Sequence, residues 1–266
     1  SLGLDQPTHI RYIKWVTAFI SGDMGYSFTS RTSVSSLIFQ RLPVTLWIVG
    51  SAYFLGTLLA VPLGVISALK RNSTFDMVLT TLVFFGFSLP TFFTSLLLII
   101  IFSVQLKWLP FIYNSNLQVT DLNSFFELIK QSIMPIFVLG IWQTAVLMRF
   151  VRSEILENIH KDYVRTAYAK GLPHYIVIIR HVLRNALIPV VTLVALDIPS
   201  IFTGALVIEK VFRVPGIGAL LIDSINSSDT PVVMSITFIY GILIVIFNLI
   251  ADVLYGLLDP RVSSTK

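Results

Sequence analysis

The sequence predicts an all-α protein that crosses a membrane several times. Of its 266 residues, 55% are hydrophobic and only 12% are charged, whereas soluble domains carry about 25% charged residues. So little charge leaves too few polar side chains to cover a globule in water. Lipid is therefore the expected solvent for much of the chain, and helices are expected because their backbone groups pair internally there.

Five stretches are long and apolar enough to cross a bilayer, which takes about 20 helical residues. They cover residues 44–69, 77–104, 133–151, 186–208 and 232–258. The third stretch is the shortest and is interrupted by Trp142, Gln143 and Thr144. In the second stretch, Gly86 and Pro90 predict a kink, because proline lacks the N–H that a helix needs.

The distribution of lysine and arginine predicts the orientation, since basic loops stay in the cytoplasm. Seven of these residues lie between positions 149 and 184, so we expect residues 152–183 to face the cytoplasm. The turn at residues 70–76 and the tail after Asp259 then share that side, and the loops at 114–130 and 209–229 lie outside. Basic loops also account for the net charge of +5 without nucleic acid, which we exclude as a partner.

An odd number of spans places the N-terminus outside the membrane. Residues 1–43 are therefore predicted to be an extracytoplasmic segment, and residues 44–266 the transmembrane domain. No hydrophobic signal precedes the polar residues 1–43, and the sequence starts at Ser1 rather than Met. We expect a further N-terminal transmembrane helix to precede it, with a removed signal peptide as the alternative.

The basic segment at residues 154–184 is too polar to span and is predicted to form two short amphipathic helices. Gly171 can take a positive φ and end the first helix, and Pro173 suits the first turn of the second. The apolar residues at helical spacing are Ile155, Ile159, Tyr163 and Ala167, then Tyr175, Ile178, Ile179 and Val182. On pattern alone, this is an interfacial anchor whose basic side chains meet lipid headgroups.

Two neighbouring segments point to something more specific. Residues 162–172 read DYVRTAYAKGL and residues 181–189 read HVLRNALIP. They resemble the EAA loop of ABC importer permeases, in its peptide/nickel form, although Arg165-Thr166-Ala167 replaces the Glu-Ala-Ala triplet and Arg184 replaces a proline. The resemblance implies a cytoplasmic coupling loop at about residues 152–185. Its implied ATPase contacts are Asp162, Tyr163, Arg165, Thr166, Ala167, Tyr168, Ala169, Lys170, Gly171, Leu172 and Pro173.

Five other segments resemble the same family and extend the likeness over essentially the whole chain. They are residues 22–27, 41–46, 88–93, 211–218 and 258–261, in the order and spacing that the family shows. The resemblance implies the type I ABC importer permease fold. That fold has six transmembrane helices, of which about five are present here.

The same resemblance implies the biological setting. Two permease subunits, identical or different, form a pore in the bacterial cytoplasmic (inner) membrane. Two ABC ATPase subunits dock on the cytoplasmic loops, and an extracytoplasmic binding protein delivers substrate. The implied cargo is di- or oligopeptides, with nickel, opines or glutathione as alternatives. We expect no cofactor and no enzymatic activity in this chain, which also lacks the phosphate-binding pattern G-x-x-x-x-G-K-[ST].

Asp197 is an unusual residue, because it lies near the middle of the fourth apolar stretch. A charge at that depth costs about 3 kcal/mol or more and usually faces the bundle interior. Two interpretations are open: a pore-lining contact for a peptide amine or a cation, or a structural partner for hydroxyls such as Thr192 and Ser200. Ser88 and Thr91, beside the predicted kink, are further candidates for the pore lining.

Two other classes of protein are weaker alternatives. A secondary transporter would carry an ion site near the midplane and internal repeats, and we find no repeat. A membrane enzyme would need a nucleophile–base or metal constellation. The sequence has no cysteine, and its histidines, which all lie outside the apolar stretches, are His9, His160, His174 and His181, so no metal site is expected.

Overall fold

The computed structural model describes residues 6–203 and 205–258, and these are almost entirely helical. In those residues β-pairing is limited to one isolated bridge between Tyr26 and Ser33. Four helices are long and apolar enough to cross a membrane, and a bent pair of helices makes a fifth. The all-α class and the number of spans are therefore confirmed. The predicted cytoplasmic tail after Asp259 lies outside the described residues.

The segment before the first span contains one helix, α1 (Thr8–Ile20), and a second helix, α2 (Val34–Thr45), leads into the span. From α2 the chain continues through a π-helical turn at Leu46–Gly50 into α3 (Ser51–Leu69), so one helix runs over Val34–Leu69. It starts well before residue 44, where the sequence placed the first span. Ser33 caps the start by accepting a hydrogen bond from the Ser36 N–H at 3.3 Å, and Pro43 is accommodated inside the helix.

The second apolar stretch is bent rather than straight. It consists of α4 (Thr74–Ser88) and α5 (Thr91–Leu98), and α5 continues as a π-helical segment at Ile99–Gln105. The two halves meet at 96°. Leu89 is extended because the ring of the following Pro90 disfavours helical backbone at the residue before it. The predicted kink is present, but it is a right-angled turn.

The third span, α6 (Leu122–Asn158), is much longer than the predicted 133–151. It begins at a capping box in which Asp121 accepts from the Ser124 N–H at 2.8 Å. Gln143 and Thr144 do not interrupt it. The Thr144 hydroxyl donates to the Gly140 carbonyl one turn earlier at 2.7 Å, and Gln143 is buried against neighbouring helices.

The basic segment after α6 forms one short helix and then leads directly into the fourth span. The short helix is α7 (Asp162–Ala169), which starts later than predicted because α6 extends to Asn158. After the turn, α8 (His174–Ile176), a π-helical segment (Val177–Leu183) and α9 (Arg184–Thr203) follow without a break. The prediction of a separate second amphipathic helix is therefore wrong. No glycine or proline follows Pro173 until Pro189, which is itself accommodated inside α9, and the wider π turn keeps the backbone helical.

The outer loop folds back through two short helices, α10 (Leu206–Val211) and α11 (Ile217–Asn226), before the last span, α12 (Thr230–Leu258). Glu209 is fully buried at their junction. Its carboxylate accepts hydrogen bonds from the Thr45 hydroxyl at 2.9 Å and from the Ala219 N–H at 2.8 Å. The Thr45 oxygen in turn accepts from the Ile217 N–H at 2.8 Å. The carboxylate thus joins α10, α11 and the end of α2.

Helices α3 and α6 pack closely through small residues. On the face of α3 that meets α6, every fourth residue is small and buried: Ala52, Gly56, Ala60, Gly64 and Ala68. A Cβ atom added at Gly64 would lie 2.8 Å from the Met148 carbonyl oxygen of α6, which real atoms cannot tolerate. Apolar burial gives little drive for helix association in lipid, so such close van der Waals contact is what holds helices together.

The outer N-terminal segment is attached to the last span at two places. Trp15 and Phe19 of α1 pack edge-on against Phe238 of α12, with ring centroids 5.0 and 4.9 Å apart. The Asp229 carboxylate, directly before α12, accepts hydrogen bonds from the Ser27 hydroxyl and from the Phe28 N–H at 3.0 Å. Burial alone would raise the pKa of the Asp229 carboxyl, but the hydrogen bonds from Ser27, Phe28 and Thr29 hold it below its usual value.

Removing the Asp229 charge should loosen this attachment in a pH-dependent way. A depressed folded-state pKa means that the carboxylate stabilises the fold above its unfolded pKa of about 3.9, and that this contribution is lost as the pH falls through the folded-state value. We expect Asp229→Asn to cost roughly 1.5–3 kcal/mol at pH 7, measured as faster limited proteolysis between residues 20 and 33. The difference between the variant and wild type should begin to shrink below about pH 4 and should disappear only below the lowered folded-state pKa of Asp229. The control is Asp223→Asn, on the exposed side of α11. It should change neither the proteolysis rate at pH 7 nor its dependence on pH. A constant difference from pH 7 to pH 3 would contradict the assignment.

The orientation can be tested with single cysteines, because the natural sequence contains none. Ser115 and Ser153 are both exposed, and they lie before and within α6. A membrane-impermeant maleimide added to intact cells should label Ser115→Cys and should label Ser153→Cys only after permeabilisation. The reverse pattern would overturn the orientation predicted from the basic residues.

Candidate coupling surface and translocation site

The turn after α7 is closed by a two-bond C-cap around Gly171. The Leu172 N–H donates to the Ala167 carbonyl at 3.3 Å and the Gly171 N–H donates to the Tyr168 carbonyl at 2.9 Å, which is the Schellman arrangement. Gly171 has φ +75°, a region open to glycine because it has no Cβ. The predicted positive φ is confirmed. Pro173 caps the start of the next helix, immediately before its first turn.

The inner face of α7 is fixed to the end of α6. Val164 and Ala167 are buried in one hydrophobic cluster with Val151 and Ile155 of α6. The Tyr163 hydroxyl donates to the Asn158 side-chain oxygen at 2.8 Å. Ala167 was expected to let an ATPase approach closely, but it lies three residues from Val164 on the apolar face. It is 3% exposed and cannot contact a partner.

The outer face of α7 and the turn form what we call the coupling surface. Of the predicted ATPase contacts, Tyr163 and Leu172 are only partly exposed. The exposed members of this surface are Asp162, Arg165, Thr166, Tyr168, Ala169, Lys170, Gly171 and Pro173. Arg165 and Asp162 lie 3.8 Å apart with side chains that are 82% and 98% exposed. An exposed pair of this kind contributes only about 0–1 kcal/mol. Breaking it so that either side chain can bind a partner therefore costs little free energy.

A further contact bridges the turn. The Tyr168 hydroxyl and the His174 Nδ1 lie 2.6 Å apart, and the two rings stack with centroids 6.0 Å apart. They join the end of α7 to the start of α8 on either side of Gly171. The sequence analysis missed His174 because it considered histidines only as metal ligands. The signal that could have predicted this contact is a tyrosine and a histidine on opposite sides of a glycine that ends a helix.

Asp197 of α9 lies where side chains of α3 and α6 also meet in the span region. The Gln143 side chain of α6 lies beside the Asp197 carboxylate, and Gln143 itself is only 2% exposed. Next to it, the Tyr53 hydroxyl of α3 and the Ser200 hydroxyl lie 2.6 Å apart. Thr192 and Ser200, the structural partners suggested by the sequence, donate to the backbone carbonyls of Ile188 and Asp197. The arrangement is a half-buried carboxylate with an amide and two hydroxyls around it.

Ser88 and Thr91 lie apart from this polar group, at the bend between α4 and α5. The Ser88 hydroxyl donates to the Phe84 carbonyl at 2.7 Å. Thr91 lines a cleft of about 750 Å³ between α3, α4, α5 and α6, whose other lining side chains are nearly all apolar. The three candidates for the pore lining are therefore not brought together in one subunit. Among the described residues no group of three or more His, Asp or Glu could hold a metal ion.

Two carboxylates that organise the helices were missed by the sequence analysis. Glu209 was treated only as the boundary of an outer loop, and Asp76 only as the end of a cytoplasmic turn. Asp76 is 4% exposed and forms an ion pair with Arg152 at 2.9 Å. The signal that could have revealed both is an acid placed at the edge of an apolar stretch, where an unpaired charge would be costly.

Several apolar spans, a polar group among them and an exposed helix–turn at the basic end define a multispanning membrane transport subunit. The chain belongs to the family described as "Binding-protein-dependent transport system inner membrane component", which it matches over residues 60–264. It is a permease subunit of an ABC importer, located in the inner membrane, and not an enzyme. Members of this family work with a second permease subunit, ATPase subunits and a substrate-binding protein.

Three relatives illustrate the likeness. The chain is 41% identical over 261 residues to the oligopeptide transport system permease protein AppB of Bacillus subtilis, covering 98% of this chain and 82% of AppB. It is 38% identical to the di/tripeptide transport system permease protein DppB of Pseudomonas aeruginosa, covering 98% and 82%. The glutathione transport system permease protein GsiC of Salmonella typhimurium is 37% identical, covering 98% and 81%.

A solved structure shares the fold. The crystal structure of an amino acid ABC transporter with histidines superposes with a TM-score of 0.55, covering 94% of this chain and 98% of that chain. Because the sequence identity is 15%, the likeness extends to the fold alone. It supports the type I importer architecture that the sequence resemblance implied.

Proposed function

We propose that this chain forms half of the translocation pore of a di- or oligopeptide importer. AppB, DppB and GsiC are named for oligopeptides, di- and tripeptides and glutathione, and glutathione is itself a tripeptide. The cargo proposed here is therefore a short peptide delivered by a binding protein outside the membrane. Nickel is an alternative from the sequence analysis that no observation on the chain favours.

The observation that carries the proposed mechanism is the coupling surface. Its backbone is locked by the C-cap at Gly171, its inner face is anchored in the α6 cluster, and its outer face carries exposed charge beside small residues. A rigid, charged helix end is suited to a groove on an ATPase subunit, where Arg165 and Lys170 would form charge-assisted hydrogen bonds. ATP hydrolysis is assigned to those partner subunits, and no cofactor to this chain.

Replacing Gly171 with leucine should break the docking. Leucine at φ +75° costs about 1–2 kcal/mol of backbone strain and projects a bulky group toward the ATPase. Apart from its two chain neighbours, no residue that the structure describes lies within 4 Å of the added Cβ, so the subunit should still insert. We expect peptide uptake to fall at least tenfold and ATPase subunits to be lost in a pull-down.

The matched control is Gly25→Leu, since Gly25 has nearly the same φ of +78° and equally open surroundings. The similar φ means that leucine causes the same backbone strain at Gly25. Because Gly25 lies in the segment predicted to be outside the membrane, the variant should retain the ATPase subunits. Gly171→Asn tests the contact itself, because asparagine tolerates positive φ while still adding a side chain. Normal uptake and normal ATPase retention in Gly171→Leu would favour the lipid-anchor interpretation and contradict docking.

We further propose that Asp197 contacts the ammonium group of a passing peptide. Its carboxylate is half-buried among Gln143, Tyr53 and Ser200, a setting that orients an acid without neutralising it by a basic partner. Such a group can replace part of the hydration that a cation loses on entering the membrane. Ser88 and Thr91, beside the bend at Pro90, are proposed to line the path at another level.

Asp197→Asn keeps the shape of the side chain and removes its charge. We expect uptake to fall tenfold or more, because a hydrogen bond to a charged group contributes about 1.5–3 kcal/mol, while the complex still assembles. Asp252→Asn, on an exposed face of α12, should leave uptake unchanged. If Asp197→Asn transports at the wild-type rate, the carboxylate has only a structural role.

A further inference from the structure

A buried carboxylate joins three helices at the cytoplasmic end of the bundle. Asp76, in the first turn of α4, accepts hydrogen bonds from the Arg152 guanidinium of α6 at 3.0 and 2.9 Å, one to each oxygen. The Ser67 hydroxyl at the end of α3 also donates to Asp76. The Asn72 N–H, in the turn between α3 and α4, donates to the second oxygen at 3.0 Å. The three helix ends therefore share one acid.

The geometry makes this contact stiff. Arg152 binds in the two-point mode that fixes both distance and orientation, and its Nε also donates to the Ser67 oxygen at 3.1 Å. Asp76 and Ser67 are 4% and 0% exposed. Asp76 is the buried partner and Arg152 is partly exposed. Separating the ends of α4 and α6 would leave the Asp76 charge buried without its partner, which is costly.

The same end of α6 carries the coupling helix. Arg152 lies between Val151 and Ile155 in the sequence, and these two residues pack with Val164 and Ala167 of α7 in one cluster. A displacement of α7 must therefore move the part of α6 that holds Arg152. On the other side of the ion pair, α4 leads to the right-angled bend at Pro90 and then to α5.

We propose that Asp76 and Arg152 are positioning residues for coupling. When the ATPase subunits displace α7, the ion pair makes the base of α4 follow α6, and the bent α4–α5 pair moves with it. This inference rests on the proposed docking of α7, and it goes beyond it by naming the residues that carry the movement into the span region. The link is mechanical, so its loss should separate ATP hydrolysis from transport.

The test is the number of tripeptides imported per ATP hydrolysed. The complete importer, with its second permease, ATPase and binding-protein partners, is reconstituted in proteoliposomes and supplied with radiolabelled trialanine. In Asp76→Asn we expect the stimulated ATPase rate to stay within about twofold of wild type, while uptake falls tenfold or more. The matched control is Glu157→Gln, which removes a pair with Lys161 of similar length, 3.0 Å, on the exposed face of the same helix end. Its import ratio should equal that of wild type.

Each outcome decides the matter. If Asp76→Asn imports as many tripeptides per ATP hydrolysed as wild type, the pair serves only the fold. This holds whether uptake and hydrolysis both stay normal or both fall in proportion. If Asp76→Asn fails to accumulate in the membrane, Arg152→Lys decides instead. It keeps the charge but cannot bind both oxygens, and a wild-type ratio in that variant overturns the proposal. If the wild-type chain neither retains ATPase subunits nor imports trialanine, the proposed function fails, and the inference fails with it.

Discussion

The close contact between α3 and α6 is the interaction on which the rest of the structure depends. The small residues that recur at every fourth position of α3 let the two backbones approach, so that a Cβ at Gly64 or Gly56 would meet α6 at 2.8 or 3.0 Å. Both functional regions are arranged by this seam. At its inner end it places Ser67 beside Arg152, and nearer its outer end it places Tyr53 and Gln143 around Asp197.

Polar contacts then fix the helix ends where small-residue packing stops. Asp76, Glu209 and Asp229 are each buried, and each binds donors from elements that are distant in the sequence or from a neighbouring turn. A buried carboxylate demands several donors, so each one specifies a single arrangement of the elements around it. Asp229 and Glu209 do this on the outer side and Asp76 on the inner side. The middle of the bundle is left to apolar packing and to the polar group around Asp197.

The sequence was sufficient for features that depend on composition and local backbone chemistry. Hydropathy predicted the spans and Gly171 predicted the end of α7, because each of these signals is contained in a few neighbouring residues. The 96° bend at Pro90 could not be predicted in size, since proline predicts a break but tertiary packing sets the angle. Ala167 was expected among the ATPase contacts from the family resemblance alone, whereas its helical spacing with Ile159 and Tyr163 placed it on the apolar face, where the structure buries it. The Asp76–Arg152 pair joins residues 76 positions apart, and no local pattern records such a distance.

The continuous helix that follows the coupling surface determines how the proposed coupling can operate. Because α8, the π-helical segment and α9 are continuous, the helix that starts at the coupling surface also carries Asp197. Asp197 lies 23 positions after His174, which corresponds to about 35 Å of helix, the scale of the membrane itself. The coupling surface thus has two physical connections into the span region. One runs along this helix to the polar group, and the other runs through α6 and Asp76 to the bent pair. A single docking event at α7 can therefore act on both sides of the bundle, which a surface anchor separated from the spans could not do.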